Sequence, residues 1–339
     1  MAFSSIIGQN EAKGRLGAAL TGSPGHAYIF AGPKGIGKTT LATAFAKALL
    51  CEHPSISGSC DQCPSCHYFD QQAHPDFRNI RIDGKEKVIK VERVRQSVCA
   101  DLNLQPQLGK RKVYLLAGDD LNEQGQNALL KSLEEPPEYA CFLITAVGTD
   151  HLLATIVSRA GLILLRRSTP AEIETILSRQ KLNDSGNIAF YARFSGGLPG
   201  VAIDLAGSDW FGDLRRETVR FYSRLSQTSR TALLTSGYQF FDDNRPHAQD
   251  ILDILSSLIR DQLITLYNPK PEILANPDCW SELAAMHKTT HHAAKEESER
   301  LTRAFTALLA ARRGLALNAS FESLICHLLL VLRKELSYA

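Results

Sequence analysis

Gly32-Pro33-Lys34-Gly35-Ile36-Gly37-Lys38-Thr39 decides the fold of this chain. The stretch fits GxxxxGK[ST] at every fixed position. An apolar segment, 26–31 (HAYIFA), precedes it, and an Ala/Leu-rich segment, 38–50, follows. A strand, a glycine loop and a helix is the context the pattern requires. Gly32, Gly35 and Gly37 let the backbone curl so that amide N–H groups face phosphate oxygens. The helix N-terminus adds its dipole. Lys38 is expected to reach the β- and γ-phosphates, and Thr39 to hold Mg²⁺. Thr40, the next residue, is grouped with them. ATP or ADP with Mg²⁺ is therefore the expected ligand. The bland reading, a glycine turn before a helix, is disfavoured by this context.

Working outward, 112–116 (KVYLL), 141–147 (CFLITAV) and 162–165 read as further buried strands. The segment 122–135 reads as a helix stopped by Pro136-Pro137. Strands alternating with helices predict a parallel α/β sheet with helices on both faces. After Arg167 the pattern changes. Thr169-Pro170-Ala171-Glu172 is a helix start, with Thr as N-cap, Pro in the first turn and an acid near the positive end. From there to the end alternation almost vanishes, so the remainder is expected to be all-α. Residues 168–206 form a small part containing Gly196-Gly197-Leu198-Pro199-Gly200. Residues 207–339 hold long helical runs, such as 248–267 and 295–313, and Leu324, Leu328, Leu329 and Leu332 at helical spacing. The expected domains are 1–167, 168–206 and 207–339.

Cys51, Cys60, Cys63 and Cys66 form C-x8-C-x2-C-x2-C. Four thiolates this close suit tetrahedral Zn²⁺, and an all-Cys set leaves no open position, so the expected role is structural. An iron–sulfur cluster is the competitor on ligand type. His53, His67 and His74 are expected at the surface. Cys99, Cys141, Cys279 and Cys326 occur singly and read as buried thiols.

Charge balance is near neutral, net +2 over 339 residues, so any nucleic-acid contact must come from a local patch. Lys110-Arg111-Lys112 and Arg166-Arg167 are short basic runs of the kind usually found at solvated strand ends. The first residues, MAFSSIIGQNEAKG, carry no apolar signal core, and no run of about 18 apolar residues occurs. The expected location is cytoplasmic, with reduced cysteines and no membrane contact.

The motifs together resemble a family. Asn127-Ala128-Leu129-Leu130-Lys131-Ser132-Leu133-Glu134-Glu135-Pro136-Pro137 is similar to the NALLKxLEEPP signature of bacterial clamp-loader subunits of DNA polymerase III, members of the AAA+ ATPases. Residues 152–159 (LLATIVSR) resemble the segment ending in their Ser-Arg-Cys motif, with Ala160 in place of Cys. Ile6-Ile7-Gly8-Gln9 resembles their box beside adenine, and His74-Pro75-Asp76 and Leu317-Asn318 also fit. The resemblance implies an AAA+ P-loop parallel-sheet domain with a zinc module at 51–66, a helical lid and a helical collar for oligomerisation. It implies gamma/tau and delta subunits, the sliding clamp and primer-template DNA as partners.

Departures from the family point to the delta-prime type. Hydrolysing members place an acidic pair right after the second of these strands; here Ala117-Gly118 stand there and Asp119-Asp120 come late. The polar sensor position falls on Ala146 or Val147. No arginine occurs near Leu198-Pro199-Gly200, where the lid sensor would lie. Weak or absent hydrolysis is expected. Arg159 is retained, and the resemblance implies that it reaches a neighbour's γ-phosphate in trans. A local salt bridge is the competing role. The alternatives are an active motor of the same family and a zinc-bearing nucleotide-switch adaptor outside replication.

Overall fold

The computed structural model describes residues 2–84, 86–180, 182, 187–268, 270–288 and 294–337. Five strands, β1 (Ala27–Ala31), β2 (Phe77–Ile80), β3 (Lys112–Ala117), β4 (Ala140–Ala146) and β5 (Gly161–Leu164), form one sheet in the order β2-β3-β4-β1-β5. Every pairing is parallel. β1 and β4 are buried along their whole length, which is why they read as unbroken apolar runs. β2 is the strand that sequence reading misses. Its residues, Phe-Arg-Asn-Ile, lie at the sheet edge and only Ile80 is buried, so no apolar run marks it.

The helices interleaved with these strands are α1 (Asn10–Thr21), α2 (Lys38–Leu50), α3 (Pro64–Asp70), α4 (Val91–Val94), α5 (Glu123–Glu134), α6 (Ala154–Val157) and α7 (Pro170–Ser178). Asn122 caps α5 by accepting from the Gly125 N–H at 2.8 Å. At α7, Thr169 and Glu172 form a reciprocal capping box: Glu172 N donates to Thr169 Oγ1 and Thr169 N to Glu172 Oε2. Strand side chains alternate between two apolar layers. Leu143 and Phe30 pack with Leu41 and Phe45 of α2 on one face. Phe142, Ile144 and Tyr114 pack with Leu129 and Leu133 of α5 on the other.

Lys112 departs from the expected solvated basic run. Its side chain is 2% exposed, and Nζ pairs with Asp101 Oδ2 at 3.1 Å. Tyr114 Oη donates to the same oxygen at 2.8 Å, and Arg78 pairs with Asp101 Oδ1 at 2.9 Å. Burial alone would raise the Asp101 pKa, but these donors outweigh it and hold the carboxyl below its ordinary range.

The rest is helical, as expected: α8 (Ile188–Phe194), α9 (Pro199–Gly207), α10 (Phe211–Leu225), α11 (Arg230–Ala232), α12 (Tyr238–Asp243), α13 (Ala248–Tyr267), α14 (Trp280–Lys288), α15 (Ala294–Ala316) and α16 (Phe321–Leu336). α13, α15 and α16 bury facing apolar stripes, with Leu255, Leu308 and Leu329 among the most enclosed residues. The chain divides into two compact units, 1–176 with 197–201, and 177–196 with 202–339. No helix among the described residues is long and apolar enough to cross a membrane.

Candidate nucleotide and metal sites

β1 ends at Ala31 and α2 begins at Lys38, so Gly32–Gly37 turn at the carboxyl edge of the sheet, between β4 and β5. Gly35 and Gly37 adopt φ of +81° and +100°, which side-chain-bearing residues rarely do. Lys38 Nζ folds back on the loop, donating to the carbonyls of Gly32 at 2.6 Å and Pro33 at 3.1 Å. Burial lowers the Lys38 pKa, and the nearby Asp119 carboxylate partly counters that. Thr39 and Thr40 are exposed at the helix start. They line an open cleft of about 720 Å³ whose far wall carries Asn79, Arg81 and Arg93.

The segment 197–201 closes directly on this loop. Gly200 N donates to Gly35 O at 2.8 Å. A Cβ at position 200 would stand 2.9 Å from Gly35 Cα and 3.0 Å from Gly35 O. In this packing the position accepts glycine and excludes an arginine. The lack of an arginine near Leu198-Pro199-Gly200 thus has a steric basis at Gly200, which sequence alone did not supply.

Asp119 sits just past β3, and both its carboxylate oxygens accept from Val147 N, at 3.0 and 2.9 Å. The late acidic residue is therefore bonded to the backbone of Val147, one of the two expected sensor positions. Gln9 joins the N-terminal box to the loop after β5: its Nε2 donates to Arg166 O at 2.6 Å, and its Oε1 accepts from Arg166 N at 3.0 Å. Arg159 pairs with Glu134 at 3.0 Å and donates to Thr155 O at 2.9 Å. Its side chain keeps about a third of its exposure.

The cysteine module begins where α2 ends. All four Sγ atoms of Cys51, Cys60, Cys63 and Cys66 lie within 4.8 Å of one another, with Cys51–Cys63 at 3.9 Å and Cys60–Cys66 at 4.0 Å. Tetrahedral Zn–S bonds of about 2.3 Å require S···S edges of about 3.8 Å, so the set fits the metal. Backbone N–H groups of His53 and Cys60 point at Cys51 Sγ, and that of Cys66 at Cys63 Sγ. Such donors favour thiolate. The Gln62 N–H heads the causes that bring the Cys60 thiol down to about 6, whereas burial pushes Cys51 and Cys66 up. A bound cation would deprotonate the set.

His74 corrects the expectation that the neighbouring histidines are superficial. His53 and His67 are exposed, but His74 is 5% exposed. Its Nδ1 accepts from Asp76 N at 3.1 Å, so Nε2 carries the proton and donates to Ser65 Oγ at 2.9 Å. Ser65 Oγ donates in turn to Leu50 O at 2.6 Å, the last carbonyl of α2. Asp76 accepts from Gln107 N and Leu108 N. His74-Pro75-Asp76 thus ties α2, α3 and the turn leading into β2. Lys47 adds a second tie: buried in α2, it pairs with Asp61 at 2.6 Å and Asp70 at 2.7 Å. Of the single cysteines, Cys141 and Cys279 are buried, while Cys99 and Cys326 are half-buried.

The family described as DNA polymerase III, delta subunit, matches residues 8–169. DNA polymerase III subunit delta′ of Pseudomonas aeruginosa is 42% identical over 135 residues, covering 40% of this chain and 41% of that one. DNA polymerase III subunit tau/gamma of Haemophilus influenzae is 37% identical over 161 residues, covering 46% of this chain and 22% of that one. DNA polymerase III subunit delta′ of Bacillus subtilis is 26% identical over 312 residues, 91% of each chain. The chain thus matches less than half the length of the first two relatives and nine-tenths of the third.

Proposed function

We propose that this chain is a delta-prime-type subunit of the DNA polymerase III clamp loader, a nucleotide-binding subunit that hydrolyses poorly and supplies Arg159 to a neighbour's nucleotide. In this reading Lys38 and Thr39 hold the phosphates and Mg²⁺ of ATP or ADP, and the four cysteines hold a structural zinc. The gamma/tau and delta subunits are its partners, and through them the sliding clamp and primer-template DNA. The regions 168–206 and 207–339 act as lid and collar.

The observation that carries the reading is the bond from Gly200 N to Gly35 O. It sets a side-chain-free backbone against the phosphate loop where a hydrolysing subunit needs a cation. Asp119 points the same way, because its carboxylate is already engaged by Val147 N. The similarity to tau/gamma subunits favours the alternative of an active motor. Calorimetry and turnover assays on the purified chain separate the two. The expected outcome is Mg²⁺-dependent nucleotide binding, lost in Lys38→Ala, with turnover well under about 1 s⁻¹. Turnover at or above that rate, abolished in Lys38→Ala, would establish the motor instead.

A further inference from the structure

Helix α10, Phe211–Leu225, carries Arg216, Arg220 and Arg224 at successive i, i+4 positions. These fall on one exposed face, with Cα atoms about 6 Å apart along the axis. Among the described residues the Arg220 and Arg224 guanidinium groups have no ion-pair partner, and Arg216 pairs only with exposed Asp213.

Two open clefts flank this stripe. One, of about 290 Å³, is lined by Arg215, Arg216, Arg220 and Ser223, with Asp278 and Glu282 across it. The other, of about 420 Å³, is lined by Arg220, Arg224, Phe221 and Phe240, with Glu217 as its one acidic residue. Arg220 belongs to both. In the first cleft Arg215 is 4% exposed. Its guanidinium lies over the Phe190 ring at 3.8 Å and gives one nitrogen to Asp278 at 2.7 Å. Its Nε–H is buried without an acceptor. A buried donor on a charged group is unfavourable without an acceptor, and it adds positive potential beside this cleft.

We propose that the α10 stripe is a binding track for the phosphate backbone of single-stranded DNA. A lone anion would use one cleft and leave Arg224 idle. A strand presents phosphates at regular intervals and would engage the three arginines in turn, with Arg220 bridging the clefts. The half-buried Phe221 and Phe240, stacked at 5.2 Å, give the second cleft an apolar floor. A basic groove with aromatic surface is the general design of sequence-indifferent strand binding. The class of partner rests on the reading of the chain as a replication subunit, but the site uses neither the phosphate loop nor the metal.

The test is fluorescence anisotropy of a labelled oligothymidylate with the full chain, without nucleotide, across 50–200 mM salt. Each neutralised phosphate of a single strand contributes a slope of about −0.7 in log K against log salt, so three arginines predict about −2. The triple variant Arg216→Gln, Arg220→Gln, Arg224→Gln should bind at least about tenfold more weakly at low salt and flatten the slope by about that amount. The matching triple Arg→Lys variant should retain the slope, which controls for folding. Lys38→Ala should bind the oligonucleotide like the unmodified chain, so failure of the nucleotide reading does not disturb this assay. Undetectable binding by the unmodified chain at 50 mM salt, or an unchanged slope in the glutamine variant, would overturn the proposal. Equally tight binding of poly-glutamate through the same arginines would overturn the assignment to nucleic acid.

Discussion

Glu134 of α5 and Arg159, just before β5, meet in an ion pair of 3.0 Å. The pair joins the two segments that resemble clamp-loader motifs, 127–137 and 152–159. Glu134 is about half exposed and Arg159 about a third, so the bond lies in high dielectric and is screened. Glu134→Gln should lower stability to urea by no more than about 1 kcal/mol. If the guanidinium acts on a partner, Glu134→Gln should keep clamp loading within twofold, whereas Arg159→Ala should not. Equal losses in both variants would make the pair itself the functional unit.

Asp101 offers a test by pH. Its folded pKa is depressed, so it contributes stability above the ordinary carboxylate range, and this is lost as pH falls through the folded value. Asp101→Asn leaves Lys112 buried without its charge partner and should cost about 3 kcal/mol at neutral pH. The deficit should begin to shrink below pH of about 4 and vanish once pH has fallen through the lower folded value, where the unmodified chain also loses its carboxylate. Denaturant midpoints for the two chains at neutral and acid pH check this; a deficit constant with pH would mean that charge is not its source.

The metal prediction concerns the cysteine module alone. Elemental analysis should find one zinc per chain, and Cys63→Ser should lose it. Because Cys51 directly follows α2 and Lys47 clamps Asp61 and Asp70, metal loss should loosen 51–70 more than the sheet. Hydrogen exchange reads that difference. Stoichiometric iron with visible absorbance would replace zinc by a cluster.

The buried strands were legible because β1, β3 and β4 consist almost wholly of apolar residues. The phosphate loop and the four cysteines were legible because their chemistry needs fixed types at fixed spacing. β2 was not, since an edge strand bearing Arg78 and Asn79 has no apolar run to read. Lys112 and His74 were misplaced at the surface because their burial depends on Asp101 and Ser65, partners that local sequence does not announce. The approach of Gly200 to Gly35 joins segments far apart in sequence, and only folding brings them within 2.8 Å.

The central claim is that Arg159 works on a neighbour's nucleotide. Arginine suits that role, being always charged and able to donate a planar fork to phosphate oxygens. A fully developed finger in trans is worth about 10³–10⁵ in rate, and sharing among several sites should make the loss here smaller. The most direct measurement is clamp- and DNA-stimulated ATPase of a complex reconstituted with gamma/tau and delta subunits, comparing the unmodified chain with Arg159→Ala. The account predicts that the variant assembles and binds nucleotide normally yet lowers stimulated hydrolysis, and that Arg159→Lys rescues it poorly. Hydrolysis at the unmodified rate in the Arg159→Ala complex would contradict it and leave the bond to Glu134 as the residue's whole role.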